Sequence, residues 1–216
     1  MTAALHPSVT ALGDPYRYGV YLRPDPATCW AVSTITTQLR AQYGLVSAGA
    51  FPPHATLIGS QHVPGPESEL VEAVTEALDG RSSFPVHNAG PRRQGVGVVY
   101  DVHHRADGSV NQEFFDLAAA VDDVVRPLVR DAPNPLPAHA FDPQTWIGHL
   151  SLASHDLYAR PDLIDEVFEY VTGLPVPVPA GFTGDTVALY RTQSEDWTGR
   201  WWQTLRCTHV RSWRLA

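Results

Sequence analysis

Lysine is missing from this 216-residue chain, and all fifteen basic residues are arginine. Without a lysine amine there is no Schiff-base chemistry, no P-loop lysine and no lysyl-nucleotide intermediate. Cysteine is nearly as scarce. Cys29 and Cys207 are too few for a disulfide framework and stand at no metal-ligand spacing, which sets aside redox and thiolate-metal roles and fits a reducing cytoplasm. No apolar run approaches the roughly 20 residues of a membrane helix, and the start, MTAALHPSVTALGDPYRY, has no basic flank ahead of an apolar block. The expectation is a cytoplasmic protein without a membrane partner. A net charge of −8 offers no general attraction to a polyanion. A long duplex is therefore a poor partner, whereas a small phosphorylated molecule or a short RNA end held by one or two local arginines is compatible.

What is present is ordinary globular usage, 44% hydrophobic and 18% charged, enough for one substantial core or two lobes sharing one. After an N-terminal tail over 1–15, YGVYLRP (18–24) reads as a strand. Asp25 and Pro26 then cap and open a helix that runs to about Tyr43 and stops at Gly44. HATLIG is a strand, and Leu70, Val71, Val74 and Leu78 mark one face of a helix ending at Gly80. FPVHNAG (84–90) and GVGVVYDVHH (95–104) read as strands joined by a Pro-Arg-Arg-Gln turn.

The second half retraces that order. VVYDV is a strand, and Ser109 with Gln112 fits a capping box opening a helix through FFDLAAAVDDVV that ends near Pro127. A Pro-rich connection (131–143) leads to the strand HLSLAS. A helix follows with Pro161 in its first turn and Gly173 as its stop, and FTGDTVALYRTQ and RWWQTLRCTHVRSW close the chain as strands. The chain therefore reads as one α+β domain, 1–216, of two halves, about 18–94 and 95–215, with room for strand exchange between them. A repeated unit brings corresponding residues together across a pseudo-twofold axis.

Within that repeat two short motifs correspond. His54-Ala55-Thr56-Leu57 and His149-Leu150-Ser151-Leu152 each open a strand that follows a strand–helix pair. His6-Pro7-Ser8-Val9 also matches the pattern, but it lies in the tail, outside either repeat. On a strand, residues two apart share a face, so each motif presents one imidazole and one hydroxyl while Ala55, Leu57, Leu150 and Leu152 turn to the core. A phosphodiester between two such strands would meet a general base, a general acid and two hydroxyl donors. Imidazole suits both proton-transfer roles, its unperturbed pKa being about 6.5. No metal is called for: HExxH is absent, and His103-His104 has no third ligand at a recognisable spacing.

These residues, HATL and HLSL in a duplicated strand–helix order with the ending TVALYRTQ…WWQTLRC…WRL, resemble the two-histidine (2H) phosphoesterase superfamily, in particular its 2′-5′ RNA ligase and cyclic phosphodiesterase branch, over roughly Tyr18 to Leu215. The resemblance implies a bilobal, pseudo-twofold α+β fold with two antiparallel sheets lining a central groove and helices outside. It also implies hydrolysis of cyclic phosphates or 2′-5′ linkages without metal or cofactor. His54 and His149 match the catalytic histidines, and Thr56 and Ser151 match the hydroxyls that hold the phosphate. Serine at 151 is a mild departure. The family's ligase activity uses no ATP, in keeping with the missing lysine.

Further contacts follow from placement. Tyr21 and Tyr100 hold comparable positions in the first strand of each half and could stack on a base, and Arg191 could meet an anion if its alternation faces inward. Arg92 and Arg93 could hold a phosphate at the rim of the groove, but a turn between strands is usually polar for solvation and the solvated reading is favoured, and Trp201 and Trp202, on a strand, would face opposite sides. His62, His87, His139, His155 and His209 receive no role. The expected activity is a monomeric phosphodiesterase opening a 2′,3′-cyclic phosphate of a nucleotide or RNA end. The alternatives are a 2′-5′ or cyclic oligonucleotide phosphodiesterase and a non-catalytic nucleotide- or RNA-end-binding module.

Overall fold

The hydrophobic pattern resolves, in a computed structural model, into nine strands and four α-helices among the described residues, 16–132 and 141–216. The tail 1–15, with His6, and residues 133–140 of the Pro-rich connection, with His139, lie outside them. The first half comprises β1 (Arg17–Leu22), α1 (Pro26–Tyr43), β2 (Ala55–Gln61), α2 (Glu67–Leu78) and β3 (Phe84–His87). It is followed by β4 (Pro91–Gln94), β5 (Gly97–Asp101), α3 (Gln112–Val125), β6 (His149–Ala153) and α4 (Ile164–Gly173). The chain closes with β7 (Gly181–Gly184), β8 (Thr186–Gln193) and β9 (Arg206–Arg214).

Seven strands form one antiparallel sheet in the order β4-β5-β6-β2-β1-β8-β9, and β3 pairs with β7 in a separate two-stranded sheet. The class is α+β, as expected. The order reads symmetrically outward from the β6–β2 seam: β5 flanks one side and β1 the other. The C-terminal hairpin β8–β9 crosses over to extend the first half's strands. Alternation decides what each face does. Val20, Leu22, Leu57, Leu150, Leu152, Val187 and Leu189 point to one side and are at most 1% exposed. They pack with Ile35 and Leu39 of α1, Val74 of α2, Phe114 and Leu117 of α3 and Val167 of α4.

Local chemistry explains most boundaries. Asp25 accepts from the Thr28 amide at 2.8 Å, Pro26 occupies the first helical turn, and Gly44 closes α1 with φ +71°, where a side chain would be strained. Several expectations are corrected. Pro-Arg-Arg-Gln is a strand, not a turn: Gln94 pairs with Gly97, and the two-residue loop between them has Gly95 at φ +57°, as a primed hairpin turn requires. FPVH pairs with β7 instead of continuing toward β5. Ser109 donates to Asp107 at 2.6 Å and does not cap α3, whose N-cap position is Asn111. Trp201 and Trp202 lie in a 3-10 turn, Trp201–Gln203, held by Ser194 Oγ donating to the Trp201 carbonyl at 3.0 Å.

Candidate active site

The seam between the halves sets the geometry. β2 and β6 run antiparallel with Ala55 opposite Leu150, both fully buried. Continuing that register one residue each way sets Thr56 against His149 and His54 against Ser151. Side chains of opposed residues share a face, so two imidazoles and two hydroxyls from distant parts of the chain lie together on the face opposite the core. All four line one cavity of about 440 Å³.

Each imidazole is fixed in the same way. His54 Nδ1 is 2.7 Å from the Pro52 carbonyl and His149 Nδ1 is 2.8 Å from the Ile147 carbonyl, in both cases two residues upstream. A carbonyl only accepts, so each Nδ1 carries the proton and donates it, and each Nε2 is the atom left to work on a ligand. Gly148, just before His149, lets the loop approach closely, since a Cβ there would overlap Phe114.

Electrostatics distinguish His54. Desolvation by its packed surroundings, with a smaller contribution from neighbouring His149, lowers its pKa to about 4 against the pull of the Pro52 carbonyl. Part of the ring remains open to the cavity, and it is neutral at pH 7. Tyr21, buried on the same face with its partner Thr56, lies 4.3 Å from His54 between ring centroids. Burial raises the Tyr21 phenol well above the ordinary tyrosine range, so it stays protonated. Phe51 closes a second side of His54 at 5.4 Å and meets Trp201 at 5.8 Å.

The other expected contacts fall elsewhere. Tyr100 pairs with Leu150 and sits in the core, where burial raises its pKa to about 12. Arg191 pairs with Tyr18 across β1 and β8, opposite the cavity side of the sheet. It donates to Glu67 at 3.2 Å and lies over the Tyr16 ring. The structure adds residues that sequence reasoning left without a role: Gln94, Trp146, His155 and Tyr158 all line the cavity. Gln94 lies beside His149, its amide 3.3 Å from Nδ1. His155 packs against the rings of Trp201 and Trp202 at 4.9 and 5.7 Å. No group of three or more metal-ligating side chains occurs among the described residues, and no described helix is long and apolar enough to cross a membrane.

No family model matches the chain, and no curated protein matches it. Solved structures do. A crystal structure described simply as a phosphoesterase superposes with a TM-score of 0.50 at 15% identity, covering 93% of this chain and 99% of that one. Escherichia coli LigT in complex with NADP+ gives 0.51 at 15% identity over 94% and 98%. TT0787 of Thermus thermophilus gives 0.52 at 15% over 92% and 97%. The chain thus shares, over nearly its whole length, the fold of these solved structures, one of which is described as a phosphoesterase.

Proposed function

We propose that this protein is a phosphodiesterase that opens a 2′,3′-cyclic phosphate of a nucleotide or RNA end, or a related small cyclic phosphate, by acid–base catalysis from His54 and His149. The observation that carries this reading is the crossed register at the β2–β6 seam, which places each imidazole opposite the other motif's hydroxyl. Among the solved structures that share this fold, one is described as a phosphoesterase and Escherichia coli LigT is complexed with NADP+ or ATP, which supports a phosphorylated, nucleotide-like ligand.

The chemistry follows from the tautomers. His54, neutral at pH 7, accepts a proton from water at Nε2 while the water oxygen bonds to phosphorus. One phosphorus–ribose oxygen bond breaks and its electron pair goes to that oxygen; His149, entering the step as the imidazolium with protons on both ring nitrogens, gives its Nε2 proton to it and is left neutral with Nδ1–H on the Ile147 carbonyl. Thr56 and Ser151 donate hydrogen bonds to the non-bridging oxygens, where charge builds in the transition state. The product is a nucleoside monophosphate with one hydroxyl freed.

The test is a pH–rate profile of the purified chain on nucleoside 2′,3′-cyclic phosphates. A bell-shaped profile unaffected by chelator is expected, with His54→Ala and His149→Ala each losing about 10²–10⁴-fold in kcat. Full activity in either variant, or a requirement for added metal, removes the proposal.

A further inference from the structure

The cavity that holds the two histidines contains no formally charged side chain other than what its imidazoles supply. None of the fifteen arginines lines it, and neither does an aspartate or glutamate among the described residues. Every arginine lies within the described residues, so the segments 1–15 and 133–140 hold none that could complete the wall. Arg92, which opposes Val99 and so shares the sheet face of the cavity, does not line it and is held by Asp101 at 2.8 Å, while Arg93 pairs with Asp165 at 2.6 Å and Arg214 with Asp185 at 2.7 Å. What faces an anion at the seam is two imidazoles and the hydroxyls of Thr56 and Ser151, a set matched to the single negative charge of one phosphodiester. The remaining wall adds one more imidazole, His155, and no arginine, aspartate or glutamate among the described residues. Phe51, Trp201 and Tyr158 supply aromatic surface, and Ser47, Ser60 and Thr145 supply hydroxyls.

A second phosphate would bring about −1 to −2 further charges. In a partly desolvated cavity without a counter-ion it keeps its desolvation cost uncompensated, and the chain's net charge of −8 adds a repulsive field. We propose that the cavity selects substrates with one phosphate only: a nucleoside 2′,3′-cyclic phosphate with a free 5′-hydroxyl. Nucleotides phosphorylated at the 5′ position, and RNA ends, which carry a further phosphodiester at that position, are disfavoured. The inference rests on the two-histidine reading and narrows its substrate to a mononucleoside.

The experiment compares adenosine 2′,3′-cyclic phosphate with its 5′-phosphorylated form and with a dinucleotide ending in the same cyclic phosphate. It measures kcat/KM and, in parallel by calorimetry, the binding of 3′-AMP and adenosine 3′,5′-bisphosphate. The expected result is roughly a tenfold or greater loss of kcat/KM, with correspondingly weaker binding, for each compound bearing the extra charge. Tyr158→Arg, at an exposed position beside His155, should narrow the gap for the 5′-phosphorylated substrate. Equal or better turnover or binding of the 5′-phosphorylated compounds by the unmodified protein would overturn the proposal. Tighter binding of 3′-AMP than of the bisphosphate with no turnover of any compound would uphold charge selection and remove the hydrolytic reading. Failure of both monophosphate and bisphosphate to bind, together with no turnover of any compound, would remove both.

Discussion

The Tyr21 phenol folds back over Gly19 of its own strand, and that placement is what sets its ring 4.3 Å from the His54 imidazole. A Cβ at Gly19 would overlap the phenol ring, so the glycine is required by space and not by backbone angle. Gly19→Ala is expected to displace the ring, lower stability by about 1–3 kcal/mol as overpacking does, and reduce turnover. Adding Tyr21→Leu to Gly19→Ala should restore part of the stability but not the turnover. Thermal unfolding and kcat measured on the two single variants and the double variant check this. Additive losses of stability would show that the two positions are not coupled.

Acid should weaken the fold through His54. In the folded chain the imidazole stays neutral down to about pH 4, whereas in the unfolded chain it takes up a proton near pH 6.5. Below about 6.5 the unfolded state therefore binds more protons. The contribution of this group is complete above that pH, declines as pH falls toward about 4 and is constant below. Melting temperature against pH should fall less steeply across this window in His54→Gln than in the unsubstituted protein. The acid limb of kcat/KM should likewise have its midpoint near 4, and an inflection near 6.5 would show that His54 is not the base.

Gln94 is expected to tune His149. Nδ1–H already donates to the Ile147 carbonyl, so the Gln94 amide beside it is better satisfied with its oxygen facing that proton, and this also gives a use to Oε1, buried without a hydrogen-bond partner among the described residues in the opposite orientation. A carboxylate there would favour the imidazolium. Gln94→Glu should move the basic limb of the pH–rate profile upward by about one unit, and Gln94→Met should lower kcat about tenfold with little change in KM. A change in KM alone would mark Gln94 as a substrate contact instead of a positioning residue.

The motif residues were legible because a strand's period of two forces His54 with Thr56, and His149 with Ser151, onto one face once Ala55, Leu57, Leu150 and Leu152 are buried. Their meeting depended on the β2–β6 register, which the repeat suggested and no local residue specified. The comparison of Tyr21 with Tyr100 failed for the same reason. Tyr21 opposes Thr56, on the cavity face, while Tyr100 opposes Leu150, on the core face. Arg191 depended on the register of a distant hairpin against β1, and its partner Glu67 comes from α2. Gln94 was hidden by reading Pro-Arg-Arg-Gln as a turn, although Gly90 and Gly95, both at positive φ, bracket a strand there. His155 and Trp201 reach the cavity from irregular segments that carry no periodic signal.

Arg191 and Tyr100 consequently serve as controls. Arg191→Gln removes a partly exposed ion pair with Glu67 and should cost at most about 1 kcal/mol of stability, leaving KM for a cyclic phosphate unchanged. Tyr100→Phe keeps the buried ring and should be close to neutral in both. Steady-state kinetics on the two variants decide the point, and a raised KM in Arg191→Gln would mean that β8 turns its other face to the ligand.

Thr56 and Ser151 provide the sharpest test of the crossed register. Each hydroxyl stands opposite the other motif's histidine, so removing either should weaken hold on the phosphorus centre without changing how either imidazole is fixed by its own upstream carbonyl. Thr56→Val and Ser151→Ala are each expected to lower kcat by about 10²-fold, the scale for loss of one donor to a developing oxyanion. The acid limb set by His54 should stay in place in both. Ser151→Thr keeps the donor on the same strand face and should retain most of the activity. Retained rate in Thr56→Val, together with a displaced acid limb, would show that the hydroxyl acts on the imidazole and not on the phosphate.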